Sequence, residues 1–196
     1  MTLMTKVIAL AALLVTASFS HAAIIPYTAT LAPEAPGAMG SGFVTVDYDT
    51  VANTLLINTN WSGLSGTTTV AHIHCCTAAP GTGTVGVAVT PGTLPGFPVG
   101  LSAGTYTSPL LDLDDPATFT AAFVTNFAGG DVANADAALL AGFNAGLAYF
   151  NIHSDIFPTG EIRGFLSAQQ IPEPATVALL AFGLAGLGFA RPRNSR

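Results

Sequence analysis

The feature that most constrains this fold is a two-residue alternation of apolar and polar side chains in several short segments. Residues 41–49, SGFVTVDYD, alternate in this way and are rich in β-branched and aromatic residues. Residues 54–61 repeat the pattern after a four-residue turn, so the pair predicts a β-hairpin. Further strands are predicted at residues 67–74, 85–89, 106–113, 147–154 and 160–166. Regular short strands of this kind predict an all-β antiparallel sandwich or barrel.

One segment departs from the strand pattern. Residues 131–143 are rich in alanine, and their apolar side chains recur every three or four positions. This spacing predicts one short helix that crosses over between strands of the all-β domain.

The amino end has the composition of an export signal. Residues 1–23 contain an early lysine, Lys6, an apolar run and a small-x-small ending. The apolar run is too short to span a bilayer, so the segment predicts the helix of a secretory signal peptide that signal peptidase removes.

The carboxyl end is apolar with a basic tail. Pro172, Glu173 and Pro174 precede an uninterrupted apolar stretch at residues 175–190, and arginines follow it. The stretch predicts a short transmembrane helix with its arginines on the cytoplasmic side. Residues 170–196 are therefore a separate segment, and residues 24–169 form a single domain.

The charge of that domain limits its partners. The chain has eleven acidic residues, and all but Glu173 lie before the tail, whereas Arg163 is the one lysine or arginine between the two end segments. Nucleic acid binding needs a basic face, so a nucleic acid partner is excluded. An acidic domain could attract cations, or its charge could simply keep an exported protein soluble.

Three histidines are the main candidates for a site. Alternate side chains of a strand share a face, so His72 and His74 point the same way, with Ala71 and Ile73 towards the core. His153 lies in another predicted strand, and these three are the histidines that remain after removal of residues 1–23. Three imidazoles can hold copper or zinc. Glu161 could be a fourth ligand, or it could accept a hydrogen bond from one of the ligands.

A structural role for the same region is the other interpretation. Asn151, Glu161 and Arg163 lie on the predicted last two strands and could form a hydrogen-bonded polar network. In that case Arg163 would pair with an aspartate across a strand, and no metal would be bound.

The adjacent cysteines, Cys75 and Cys76, follow the histidine pair directly. Three states are compatible with the sequence: a vicinal disulfide, soft ligands for Cu(I), or buried free thiols. If the strand continues past His74, alternation places Cys76 on the histidine face.

The carboxyl-terminal segment resembles the PEP-CTERM sorting signal of Gram-negative bacteria in the order of its Pro-Glu-Pro tripeptide, apolar helix and arginine-rich end. The resemblance implies an exosortase partner, a transient inner-membrane anchor, and delivery to the cell surface or the extracellular matrix.

The central domain resembles the chordin-type (CHRD) domain. The matching motifs are AHIH at 71–74, GLAYFNIH at 146–153 and FPTGEIRG at 157–164, together with WSGL at 61–64. The resemblance implies an immunoglobulin-like or superoxide-dismutase-like β fold and carries no established activity. Thr159 and the two cysteines depart from the usual pattern of the family.

Three functions are compatible with these features. The first is a non-catalytic surface domain that binds a surface or exopolysaccharide partner. The second is an extracellular copper- or zinc-binding protein, and the third is a dismutase-like redox enzyme. The third is disfavoured because an acidic domain repels the superoxide anion. Neither a nucleophile–base pair nor a phosphate-binding loop is visible.

Overall fold

A computed structural model describes residues 24–169. No helix in this range is long and apolar enough to cross a membrane. The expected signal peptide at residues 1–23 and the expected transmembrane helix at residues 175–190 lie outside the described part of the chain.

The described residues form ten strands, and every strand pair is antiparallel. The strands are β1 Ile24–Pro33, β2 Ser41–Asp49, β3 Thr54–Ser62, β4 Thr68–His74, β5 Val87–Val89, β6 Gly104–Thr107, β7 Leu111–Asp112, β8 Tyr149–Ser154, β9 Ile162–Phe165 and β10 Ser167–Ala168. The predicted all-β antiparallel fold is confirmed.

The strands make one curled sheet in the order β5-β4-β8-β9-β1-β2-β3-β6, with β10 beside β1 and β7 beside β3. Strand β1 joins the two halves of the sheet. It pairs with β2 along most of its length, and its last residues, Ala32 and Pro33, pair with β9. The sheet therefore curls into a half-barrel, and β4 and β8 lie side by side in the half that carries the histidines.

Two helices lie between β7 and β8: α1 at Ala121–Phe127 and α2 at Ala135–Asn144. The predicted helix at residues 131–143 corresponds to a 3-10 turn at Val132–Asn134 followed by α2. Helix α1 was not predicted because its sequence, AAFVTNF, is rich in aromatic and β-branched residues. Its start is fixed by the Thr120 hydroxyl, which accepts a hydrogen bond from the Phe123 N–H at 3.2 Å.

Two strand expectations differ from the structure. Strand β1 was not predicted, because Pro26 and Pro33 weaken its strand signal, although Tyr27, Ala29 and Leu31 alternate into the core. The strand predicted at residues 106–113 is two short strands, β6 and β7, which pair with opposite ends of β3.

Helix α2 packs against the sheet through Phe143. The Phe143 ring makes edge contacts with Tyr27 at 4.9 Å and Tyr48 at 5.9 Å between ring centroids. The Tyr27 hydroxyl also donates to the Asn144 side chain at 2.6 Å. These contacts cover the core face of β1 and β2 and hold the crossover in place.

Candidate metal centre

Strands β4 and β8 bring the three histidines together. His72 lies directly opposite Asn151, and His153 lies opposite Val70, two residues along the same strand pair. Because alternate residues share a face, His72, His74, Asn151 and His153 all project from one side of this pair. Ala71 and Ile73 point into the core, as predicted, and both are fully buried.

The ring nitrogens converge on a small volume. One nitrogen from each of His72, His74 and His153 lies within 4.8 Å of the other two. The closest pair is Nδ1 of His72 and Nε2 of His153, 3.3 Å apart. The residues are only 6%, 8% and 9% exposed, respectively, so the cluster is enclosed by protein.

Each imidazole is oriented by a backbone carbonyl that bonds its other nitrogen. Nε2 of His72 donates to Gly92 O at 2.7 Å, and Nδ1 of His74 donates to Val85 O at 2.7 Å. Nδ1 of His153 donates to Pro158 O at 2.9 Å. A carbonyl oxygen accepts only, so in each neutral ring the proton lies on the outward nitrogen and the inward nitrogen keeps a lone pair.

Burial keeps two of these rings neutral. It lowers the pKa of His72 below its ordinary value, and it lowers the pKa of His74 to about 4. The hydrogen bonds to Gly92 O and Val85 O oppose this effect only in part. Neutral imidazole is the form that binds a metal ion, so the metal-free site is prepared for one.

An aromatic ring supports His74 from one side. The Tyr149 ring stacks on the His74 ring, with centroids 4.6 Å apart and planes 7° from parallel. The Tyr149 hydroxyl donates to Val85 O at 3.2 Å, the same oxygen that accepts from His74. The position of the imidazole is therefore fixed by both packing and hydrogen bonding.

Comparison with protein families agrees with the motifs. The CHRD domain model matches residues 27–166, which is more than half of the chain. The chain belongs to the CHRD domain family. The PEP-CTERM protein-sorting motif matches residues 170–193, so the CHRD domain is followed by the signal of an exosortase-sorted protein exported in Gram-negative bacteria. Neither a curated protein nor a solved structure matches the chain.

The Glu161 side chain does not join Asn151 and Arg163 in the predicted polar network, because it bonds to other partners. The Glu161 carboxylate is fully buried and accepts hydrogen bonds from the backbone N–H groups of Ser65 and Gly66, on the loop between β3 and β4. Burial raises its pKa, but the hydrogen bonds from Ser154, Ser65 and Gly66 outweigh that effect and hold the pKa below its ordinary value. The bonds of this carboxylate are therefore made to that loop and to Ser154, the last residue of β8.

A different carboxylate, that of Glu34, connects Asn151 with Arg163. Glu34 accepts from the Asn151 amide at 3.3 Å, and its second oxygen lies 3.3 Å from Nε of Arg163. The expected aspartate partner of Arg163 is thus a glutamate. Sequence reasoning missed Glu34 because it follows β1, more than a hundred residues from Asn151, and no local pattern links the two.

The adjacent cysteines are joined by a vicinal disulfide. Cys75 is buried in the core, and Cys76 is partly buried. Strand β4 ends at His74, so the alternation that would place Cys76 with the histidines does not extend to it. Both sulfur atoms instead pack against the backbone of α2 at Gly142, where a side chain would overlap them.

Proposed function

We propose that this CHRD domain acts outside the inner membrane as a non-catalytic domain that binds a divalent transition-metal ion at His72, His74 and His153. The observation that carries the proposal is the convergence of three nitrogen lone pairs in a buried cluster. Each lone pair faces inward because the other nitrogen of its ring donates a hydrogen bond to a backbone carbonyl.

The spacing suits a metal ion. Two nitrogens bound to one tetrahedral Zn²⁺ at its usual bond length lie about 3.3 Å apart. His72 Nδ1 and His153 Nε2 have this separation, 3.3 Å. Imidazole ligands suit zinc, copper and nickel, and backbone carbonyls that orient ligand histidines are a regular feature of such sites.

Enclosure favours binding over catalysis. A catalytic ion needs a position that substrate or water can reach, whereas all three histidines are at least nine-tenths buried. The acidic surroundings of the domain attract cations and repel superoxide, which counts against the dismutase-like alternative.

Metal analysis of the exported protein tests the proposal. After exposure to equimolar Zn²⁺, Cu²⁺ and Ni²⁺ and removal of free ions, we expect about one ion per chain. The double variant His72→Ala/His153→Ala should retain less than a tenth of that amount. Tyr48→Phe is a matched control, because it removes a buried hydroxyl on β2 that bonds to Asp136 of α2 and not to a carbonyl that orients a histidine. A wild-type protein without bound metal contradicts the proposal.

Export is tested separately. Replacement of Pro172, Glu173 and Pro174 by alanine should leave an uncleaved precursor in the inner-membrane fraction, because the sorting motif is lost. Cleavage and release of that variant at the wild-type level would argue against exosortase processing. The surface or exopolysaccharide partner stays a prediction.

A further inference from the structure

The side-chain amide of Asn151 lies between His74 and Glu34. Its Oδ1 atom is 3.1 Å from Nε2 of His74, and its Nδ2 atom is 3.3 Å from Oε1 of Glu34. Asn151 itself is almost fully buried. Each half of the amide therefore faces one neighbour with little competition from water.

Glu34 fixes which way the amide points. A carboxylate only accepts hydrogen bonds, so the NH₂ group of Asn151 must face Glu34 and donate to it. Reversal of the amide would place Oδ1 against the carboxylate oxygen with no proton between them. Consequently Oδ1 of Asn151 points at His74.

The contact between Asn151 and His74 lacks a proton. A neutral imidazole has a single N–H, and His74 donates it from Nδ1 to Val85 O at 2.7 Å. The Nε2 lone pair of His74 and Oδ1 of Asn151 are thus two acceptors 3.1 Å apart. A buried pair of acceptors is unfavourable unless a donor or a cation interacts with both.

We infer that Oδ1 of Asn151 is the fourth ligand of the ion held by the three histidines, and that Glu34 is the positioning residue that turns this oxygen towards it. The inference rests on the proposed metal binding and deepens it. Ligand atoms of a tetrahedral zinc ion lie about 3.3–3.6 Å apart. The two acceptor pairs of the site, at 3.3 Å and 3.1 Å, are close to this separation.

Glu34 is held in position from several sides. Its backbone N–H donates to Glu161 O at 3.0 Å, and its carboxylate pairs with Arg163. The carboxylate lies over Gly160, where a Cβ atom would overlap its Oε1. The absence of a side chain at Gly160 therefore makes the space in which this carboxylate reaches Asn151.

The ligand set selects the class of ion. Three imidazole nitrogens and one amide oxygen suit a divalent ion such as Zn²⁺, whereas Cu(I) prefers sulfur ligands. The Glu34 side chain is only 9% exposed and is separated from the proposed ion by Asn151. Its carboxylate therefore also offsets part of the positive charge of a divalent ion. We therefore expect Zn²⁺ or Co²⁺ to bind more tightly than Cu(I).

Cobalt binding tests this inference, because the visible absorption of Co²⁺ reports its ligands. Chelator-stripped exported protein is titrated with Co²⁺. Asn151→Leu should weaken binding by about 10–100-fold and change the absorption bands, as loss of a ligand does. Glu34→Gln should weaken binding by about 10-fold with the band positions retained, because the ligands stay and only their orientation is lost.

Glu161→Gln is the matched control, since Glu161 is another glutamate shielded from water, but its carboxylate bonds to Ser154 and to the loop between β3 and β4 rather than to Asn151. Its Co²⁺ affinity should stay within about 2-fold of wild type. If Asn151→Leu does not fold, Asn151→Asp keeps an oxygen of the same reach and should bind Co²⁺ with shifted bands. Unchanged affinity and bands in the Asn151 variant that folds overturn the inference alone, whereas a wild-type protein that binds no Co²⁺ overturns the proposed function with it.

Discussion

Nδ1 of His72 lies 3.3 Å from Nε2 of His153 on the neighbouring strand, and the other nitrogen of each ring bonds to a backbone carbonyl. In the neutral rings these inward atoms are both acceptors, so the pair is unfavourable without a cation between them. A bound ion would replace this repulsion by two coordinate bonds. Metal binding should therefore stabilise the folded domain.

Zinc should raise the unfolding temperature. Free Zn²⁺ at 100 times its dissociation constant adds about 2.7 kcal/mol to the free energy of unfolding. For a domain of this size that corresponds to a rise of about 5–10 °C. Thermal unfolding followed by circular dichroism, with chelator or with Zn²⁺, measures the shift. Mg²⁺, which prefers oxygen ligands, serves as the control and should shift the temperature by less than about 1 °C. An equal effect of both ions would count against a histidine site.

The metal-free domain should lose stability as the pH falls from 6.5 towards 4. Burial lowers the pKa of His74 from 6.5 to about 4, so the unfolded chain binds more protons than the folded domain in this window. The contribution of His74 to the free energy of unfolding is complete above pH 6.5 and is lost as the pH falls through about 4. It amounts to about 3 kcal/mol.

Titration by NMR isolates His74 from its ionisable neighbours His72, His153 and Glu34. In chelator-treated protein the ring signals of His74 should shift with a midpoint near pH 4, which is the pKa of the buried ring. Urea unfolding at pH 7.5 and 4.5 measures the accompanying change in stability. A midpoint near 6.5 would show that burial does not keep this ring neutral.

Glu161→Gln should destabilise the domain without loss of metal affinity. The hydrogen bonds from Ser154, Ser65 and Gly66 hold the pKa of this buried carboxyl below its ordinary value, so its stabilisation is present above the unfolded pKa and lost in acid. We expect a loss of about 1–3 kcal/mol at pH 7 in urea unfolding.

Asp155→Asn is the matched control for Glu161→Gln. Asp155 accepts from the Thr67 N–H of the same loop at 2.7 Å, but it is exposed. Its replacement should destabilise the domain clearly less than Glu161→Gln does, because water can substitute for the lost interaction. If both variants lower the free energy of unfolding equally, burial of Glu161 does not strengthen its hydrogen bonds.

The sequence predicts the part of the site that depends on strand periodicity. His72 and His74 share a face because they are two residues apart in β4, and strand pairing brings His153 to them. The same rule fails at strand ends. Glu161 precedes β9 and Cys76 follows β4, so neither side chain obeys the alternation.

The role of Glu34 depends on long-range geometry. It requires β1 to pair with β9, and a prediction without β1 as a strand cannot bring residue 34 near residue 151. It also requires the space over Gly160, which only the folded chain defines. Pairing between distant strands and the fit of one residue against a glycine leave no periodic signal in the sequence.

Replacement of Gly142 by alanine should destabilise the domain through the disulfide. Alanine in a helix is normally better than glycine by about 1 kcal/mol, and Gly142 lies inside α2. A Cβ atom there would overlap the sulfur atoms of both Cys75 and Cys76, so a side chain or the helix must move. Such overpacking of a core costs about 1–3 kcal/mol, and we expect it to outweigh the gain in helix propensity.

The matched background is the double variant Cys75→Ala/Cys76→Ala, in which both sulfur atoms are absent. There Gly142→Ala should become stabilising by about 0.5–1 kcal/mol, because only the helix propensity remains. Urea unfolding of the four proteins gives the coupling free energy between Gly142 and the cysteine pair. We expect a coupling of about 1.5 kcal/mol or more. An equal effect of Gly142→Ala in both backgrounds would mean that the disulfide does not pack against α2 at this residue.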